Sequence, residues 1–124
     1  MTKSHAVLLV VDDDYDIRDT LRDILSDEGV TTAFAGDGIE ALAYLRAHAH
    51  PRLILLDLMM PRCDGPTFRA EQRKDPALAD IPVVVLSADS KIVDKSRALD
   101  AAGYLKKPVD LERLTNVVAK YCKA

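Results

Sequence analysis

The sequence predicts an α/β fold, (βα)5, in which a parallel sheet is wound on both faces by helices, and three observations predict it. Short runs of Val, Leu and Ile recur along the chain without polar alternation, as in strands buried on both faces. Longer segments between them carry apolar residues at helical spacing. The two kinds alternate from end to end with no low-complexity linker, the pattern of a doubly wound sheet in one domain.

The elements follow in order. Ala6 to Val11 is apolar throughout and too short for a helix, so it reads as the first strand. Ile17, Leu21, Ile24 and Leu25 form the stripe of the first helix, with Gly29 as its C′ residue. Val30 to Ala35 is a weaker second strand; Gly36-Asp37-Gly38 is a turn; Ile39, Leu42 and Leu45 carry the second helix. Leu53 to Leu56 is a third strand ending at Asp57, and a loop with Pro61, Asp64 and Gly65 follows. Pro66 is placed at the first position of the third helix, where its missing N–H costs nothing, and Asp75-Pro76 closes that helix. Pro82 to Leu86 is the fourth strand, ending at Ser87; Ile92, Val93 and Leu99 sit on the fourth helix. Gly103 to Leu105 is a brief fifth strand leading to Lys106-Lys107-Pro108. Asp110 caps the last helix, whose stripe is Leu111, Leu114, Val117, Val118 and Tyr121.

Composition excludes several classes. The 124 residues are 48% hydrophobic and 30% charged with a net charge of -3, which argues against a basic nucleic-acid binder. No apolar run approaches the length of a membrane helix, and the N-terminus lacks a signal-peptide pattern. Cys63 and Cys122, far apart, suggest neither a disulfide framework nor a zinc motif and suit a reducing compartment.

Chemistry gathers at the strand ends. In such sheets the site lies beyond the carboxyl ends of the strands. There the sequence places Asp12 and Asp13, Asp57, Ser87 and Lys107. Asp12 to Asp14 would by themselves serve as helix-capping acids. Asp57 resists that reading, because it interrupts an apolar run and a buried carboxylate needs a partner. Three carboxylates close together call for a hard cation, and magnesium with a lysine and a hydroxyl suits a phosphoryl group in transfer.

The segments Val10-Val11-Asp12-Asp13-Asp14, Leu55-Leu56-Asp57-Leu58-Met59-Met60-Pro61, Asp64-Gly65, Val85-Leu86-Ser87-Ala88 and Tyr104-Leu105-Lys106-Lys107-Pro108 occur in that order. Together they resemble the receiver domain of bacterial two-component response regulators over essentially the whole chain. The resemblance implies a flavodoxin-like sheet of strand order 2-1-3-4-5. It implies that Asp57 accepts a phosphoryl group from a sensor histidine kinase or a histidine phosphotransfer protein. Asp13 and Asp57 would then bind Mg2+ directly, with the backbone carbonyl of Met59, and Asp12 would act mainly through bound water. Lys107 would contact the phosphoryl oxygens, with a cis bond to Pro108. Ser87 would turn inward, and Tyr104 would be the aromatic switch that follows it. The family implies a cytoplasmic switch that catalyses only its own phosphorylation and dephosphorylation. It would act on a downstream protein target, without direct contact to nucleic acid or membrane. Residues 1–124 are expected to form one receiver domain with no output domain, and Met1 and the last helix favour a complete protein.

The chain departs from the family pattern in places. The stretch from Ser87 to Lys107 is slightly shorter than usual, Asp100 stands where a glycine is common, and so does Arg62. Met59 and Asp89 occupy the two positions that tune phosphoryl lifetime. The response to phosphorylation is expected to be strongest in residues 88 to 104, with partners using the last or first helix as much as the fourth. His48 and His50 read as surface residues, Cys122 as core, Cys63 as an exposed loop residue, and Arg69, Arg73 and Lys74 as a solvated helix face. Two other readings stand beside this one. Asp12-Asp13-Asp14 also fits the start of haloacid-dehalogenase-type phosphatases with Asp12 as nucleophile, although the late acidic pair and cap of those enzymes are missing. A degenerate receiver used for docking alone is opposed by the intact Asp13, Asp57, Ser87 and Lys107.

Overall fold

The computed structural model describes residues 7–60 and 63–122. Along it run β1 (Val7–Val11), α1 (Tyr15–Asp27), β2 (Thr31–Ala35), α2 (Gly38–Ala47), β3 (Leu53–Asp57), α3 (Gly65–Lys74), β4 (Val83–Ser87), α4 (Ile92–Ala98), β5 (Gly103–Lys106) and α5 (Leu111–Cys122). The five strands pair in parallel in the order β2-β1-β3-β4-β5. Met1, Ala6, Pro61 and Arg62, named in the sequence reading, lie outside the described residues.

Strand alternation sorts the side chains onto two cores. Leu8, Val10, Leu53, Leu55, Val84, Leu86 and Leu105 face one side, against Leu21 and Leu25 of α1 and Leu114, Val118 and Cys122 of α5. Leu9, Val11, Ile54, Leu56 and Val83 face the other, against Ala41 and Leu45 of α2 and Phe68 of α3. Val85 shares that second face with Ile92 of α4 and Leu58. Helices thus cover both faces, and the central strands β3 and β4 are buried at every residue, whereas the edge strands β2 and β5 stay partly exposed.

Caps set the helix starts. Asp14 accepts the N–H groups of Asp16 and Ile17, Asp37 that of Glu40, Asp64 that of Thr67, and Asp110 those of Glu112 and Arg113. Gly29 takes a positive φ of 76° after α1, as expected of a C′ residue. Asp100 takes a φ of 53°; a short polar side chain tolerates that conformation.

The structure corrects several details. Pro66 is the second residue of α3, because Gly65 comes first. Gly65 N–H bonds Leu58 O at 3.1 Å, and a Cβ at Gly65 would lie 2.8 Å from the backbone of Asp57 and Leu58. Only glycine lets α3 begin so close to β3. Cys63 is buried, since its carbonyl accepts the Gly38 N–H and its thiol lies where a Gly38 Cβ would stand. Leu111, at the exposed start of α5, is 57% exposed, and Ile39 is also exposed, so neither belongs to its helix's buried stripe. Arg69 is buried, as described below.

Candidate functional site

The alternation that buries Leu8 and Val10, Leu53 and Leu55, and Leu105 on one face continues to Asp12, Asp57 and Lys107 beyond them. The three side chains meet at the carboxyl edge of the sheet. Lys107 Nζ lies 3.0 Å from Asp12 Oδ2 and 3.6 Å from Asp57 Oδ2. Carboxylate oxygens of Asp12, Asp13 and Asp57 all lie within 4.8 Å of one another. Asp12 is fully buried and Asp57 nearly so, whereas Asp13 is exposed. Local geometry fixes each carboxylate. Asp12 Oδ1 accepts the Asp14 N–H at 2.9 Å, and Arg18 Nε donates to the Asp12 carbonyl at 3.0 Å. Met59 N–H donates to Asp57 Oδ1 at 3.2 Å. The peptide bond between Lys107 and Pro108 is cis.

Charge is unbalanced here. Burial, and then the neighbouring Asp12 carboxylate, push Asp57 up to about 6, against the pull of the Met59 N–H and of Lys107. Burial alone would lower Lys107, but contact with Asp12 and the charges of Asp57, Asp12 and Asp14 hold it above its ordinary value. Asp12 Oδ2 is buried at ion-pair distance from the ammonium yet receives no aligned hydrogen bond. A buried oxygen without an aligned hydrogen bond, two further carboxylates in reach and, among the described residues, a single lysine beside them make a donor set that fits a hard divalent cation. An open cleft of about 430 Å³ lined by Asp13, Leu58, Met59, Met60 and Asp64 borders the trio at Asp13.

Ser87 and Tyr104 stand on the opposite face. Val85 pairs with Tyr104 and Ser87 with Lys106, so Ser87 and Tyr104 share the α4 side of the sheet. Ser87 is buried and Tyr104 is 38% exposed. Lys107 N–H donates to the Ser87 carbonyl at 2.9 Å, tying the ends of β4 and β5 together. Met59 has an exposed side chain at the cleft.

Sequence reasoning missed Arg69. Its Nε donates to Leu99 O at 3.0 Å, Nη2 to Asp100 O at 2.8 Å and Nη1 to Gln72 Oε1 at 2.9 Å. Gln72, wholly buried, passes the network on to Leu78 O and Ile81 O. His48 and His50 are exposed as expected, and among the described residues the only cluster of metal-ligating side chains is the aspartate trio.

Asp13→Ala should weaken Mn2+ binding about tenfold or more, since one charge some 4 Å from the cation is worth roughly 1–4 kcal/mol in a partly exposed site. Mn2+ relaxation titrations check this, and unchanged affinity would remove Asp13 from the site.

Comparison with known proteins agrees with this fold. The family model for the response regulator receiver domain matches residues 8–119. An "uncharacterized 14.6 kDa protein in sodA1 3'region" of Leptolyngbya boryana is 39% identical over 119 residues, covering 94% of this chain and 90% of that protein. Response regulator MprA of Mycobacterium ulcerans is 41% identical over 109 residues, covering 86% of this chain but 46% of that protein, so the chain spans about half its length. The chemotaxis response regulator CheY4 of Vibrio cholerae is similar in structure, with a TM-score of 0.85 and 30% identity over 95% of this chain and 99% of that one.

Proposed function

This chain belongs to the response regulator receiver domain family, the phosphoacceptor switches of two-component signalling, and on that premise we propose that Asp57 is its phosphoryl acceptor. One observation carries the choice: Asp57 ends β3 beside both Lys107 and the Asp12 carboxylate. Asp12, fully buried, is the less reachable of the two carboxylates that Lys107 contacts.

In this reading an Asp57 carboxylate oxygen attacks phosphorus, forming an O–P bond as the bond to the donor breaks. With a phosphohistidine donor the imidazole nitrogen leaves with the electron pair. Asp12, Asp13 and Asp57, with the Met59 carbonyl, would hold Mg2+, which would neutralise charge on the phosphoryl oxygens. Asp12 would act on the ion mainly through bound water. Lys107 offers its ammonium to the same oxygens. Ser87 then donates its hydroxyl to the adduct, and Tyr104, on the same face, follows into the space vacated beside β4. The α4, β5 and α5 surface reads out the change to a downstream protein. The donor is a sensor histidine kinase or a phosphotransfer protein in the cytoplasm, and no helix among the described residues is long and apolar enough to cross a membrane. The chemistry is confined to the chain's own phosphorylation and dephosphorylation.

Incubation with acetyl phosphate and Mg2+ tests this. The protein should gain one phosphoryl group, acid-stable and base-labile as an acyl phosphate, and chelation should prevent it. Mapping of the label to Asp12 would overturn the assignment in favour of phosphatase-type chemistry.

Metal binding should depend on pH with a definite sign. Burial and the Asp12 charge push the Asp57 carboxyl of the metal-free protein up to about 6, and it must ionise to bind a cation. Mn2+ affinity should therefore be flat above that pH and fall by up to about tenfold per pH unit below it. Titrations on both sides of pH 6 check this, and equal affinity throughout would contradict it.

A further inference from the structure

Asp89, two residues past Ser87, spends every polar group on its neighbours. Its backbone N–H donates to Ser87 Oγ at 3.1 Å. Its Oδ1 accepts the Lys91 N–H at 2.8 Å, its carbonyl accepts the Ile92 N–H at 3.1 Å, and its Oδ2 pairs with Lys95 Nζ on α4. Ile92 is in turn buried among Leu58 and Val85. Lys91, at the start of α4, makes no side-chain capping bond, so the Asp89 carboxylate does the work of a cap for this short helix. One residue thus links the hydroxyl at the end of β4 to the first turn of α4.

We infer that Asp89 is a positioning residue: braced by Lys95, it holds the Ser87 hydroxyl and the start of α4 in the unphosphorylated arrangement, so that the ion pair sets how readily the switch turns. The inference rests on Asp57 being the acceptor. When Ser87 turns to a phosphoryl oxygen, its bond to the Asp89 N–H must break or drag the Asp89 peptide with it. Either movement works against the carboxylate's hold on Lys91 and Lys95. Removing the brace shifts a two-state equilibrium toward the turned state, and a ligand that selects that state then binds more tightly. The ion pair is partly exposed, with side-chain exposures of 49% for Lys95 and 22% for Asp89. Such pairs are weak, so the shift is a few-fold and diminishes with salt.

The test is the binding of beryllofluoride, with Mg2+, to the full chain and to Lys95→Met, Asp89→Asn, the double variant and Lys95→Arg. Lys95→Met and Asp89→Asn should each bind roughly three- to fivefold more tightly than wild type. The double variant should bind no more tightly than either single one, Lys95→Arg should match wild type, and the differences should shrink as sodium chloride is raised. A merely structural role would give neither the non-additivity nor the salt dependence. Unchanged or weaker binding by Lys95→Met overturns the brace. So does a change in Asp89→Asn that Lys95→Met does not share, since the Asp89 charge would then act on the bound group directly. If wild type fails to bind beryllofluoride, the acceptor reading fails and the brace with it; if wild type binds and Lys95→Met matches it, the brace fails alone.

Discussion

Asp57→Asn should remove all labelling by acetyl phosphate, while raising the stability of the metal-free protein above about pH 6. The first effect follows from chemistry: an amide oxygen is a poor nucleophile and would leave no stable acyl phosphate. The second follows from the site. Asp57 is raised from 3.8 to about 6 by burial and by Asp12, so the folded protein holds this proton more tightly than the unfolded chain does. The stability this confers is complete below about pH 3.8 and is lost as pH rises through about 6. Above that, wild type carries two buried carboxylates against one lysine, whereas asparagine keeps the acceptor for the Met59 N–H without the charge. The variant's advantage should be small at about pH 4 and on the order of 1–3 kcal/mol at about pH 8 without divalent cations. Added Mg2+ should narrow the gap by stabilising wild type alone. Urea unfolding at two pH values, with and without Mg2+, reads all of this. A variant less stable than wild type at the higher pH would contradict the assigned repulsion.

What could be read from the sequence, and what could not, divides along one physical line. Strands buried on both faces appear as unbroken apolar runs, so their ends stand out, and a carboxylate ending such a run, as Asp57 does, is conspicuous. The same alternation sends Asp12, Asp57 and Lys107 to one face and Ser87 and Tyr104 to the other. Caps are local, so Asp110 and Gly29 were legible too. Arg69 was not. On α3 it sits among Arg73 and Lys74 and reads as solvated, because its partners are the carbonyls of Leu99 and Asp100, some thirty positions away in the chain, and backbone acceptors leave no mark in a sequence. Cys63 was missed for a similar reason: its burial depends on the space left by a glycine in another element. Asp89 was noticed for its position, but its bond to Lys95 depends on how α4 starts.

The largest effect on stability should come from Arg69→Met. Arg69 is 7% exposed, and its three donating nitrogens satisfy two carbonyls after α4 and the amide oxygen of Gln72. Methionine is close in length and apolar, so the loss is mainly polar: three acceptors are left without their donors, and of these the amide oxygen of the wholly buried Gln72 is the one that water reaches least. Hydrogen bonds from a charged donor are worth about 1.5–3 kcal/mol each, and the Arg69 charge itself is costly to bury, which its lowered pKa reflects. The net destabilisation should be about 2–4 kcal/mol, since a buried acceptor left without its donor costs about 1–3 kcal/mol and the relief of the buried charge offsets part of the sum. Arg69→Lys keeps the charge but not the fork, and should recover less than half of the loss. The site of the damage is specific. Leu99 and Asp100 close the turn between α4 and β5, where Asp100 already holds a positive φ, so amide exchange should quicken first in residues 96–102. The aspartate trio lies at the ends of β1 and β3, and Asp57→Asn combined with Arg69→Met should show additive stability changes. Loss of less than about 1 kcal/mol in urea unfolding, or exchange that quickens evenly across the chain, would show that Arg69 does not hold α4 to α3.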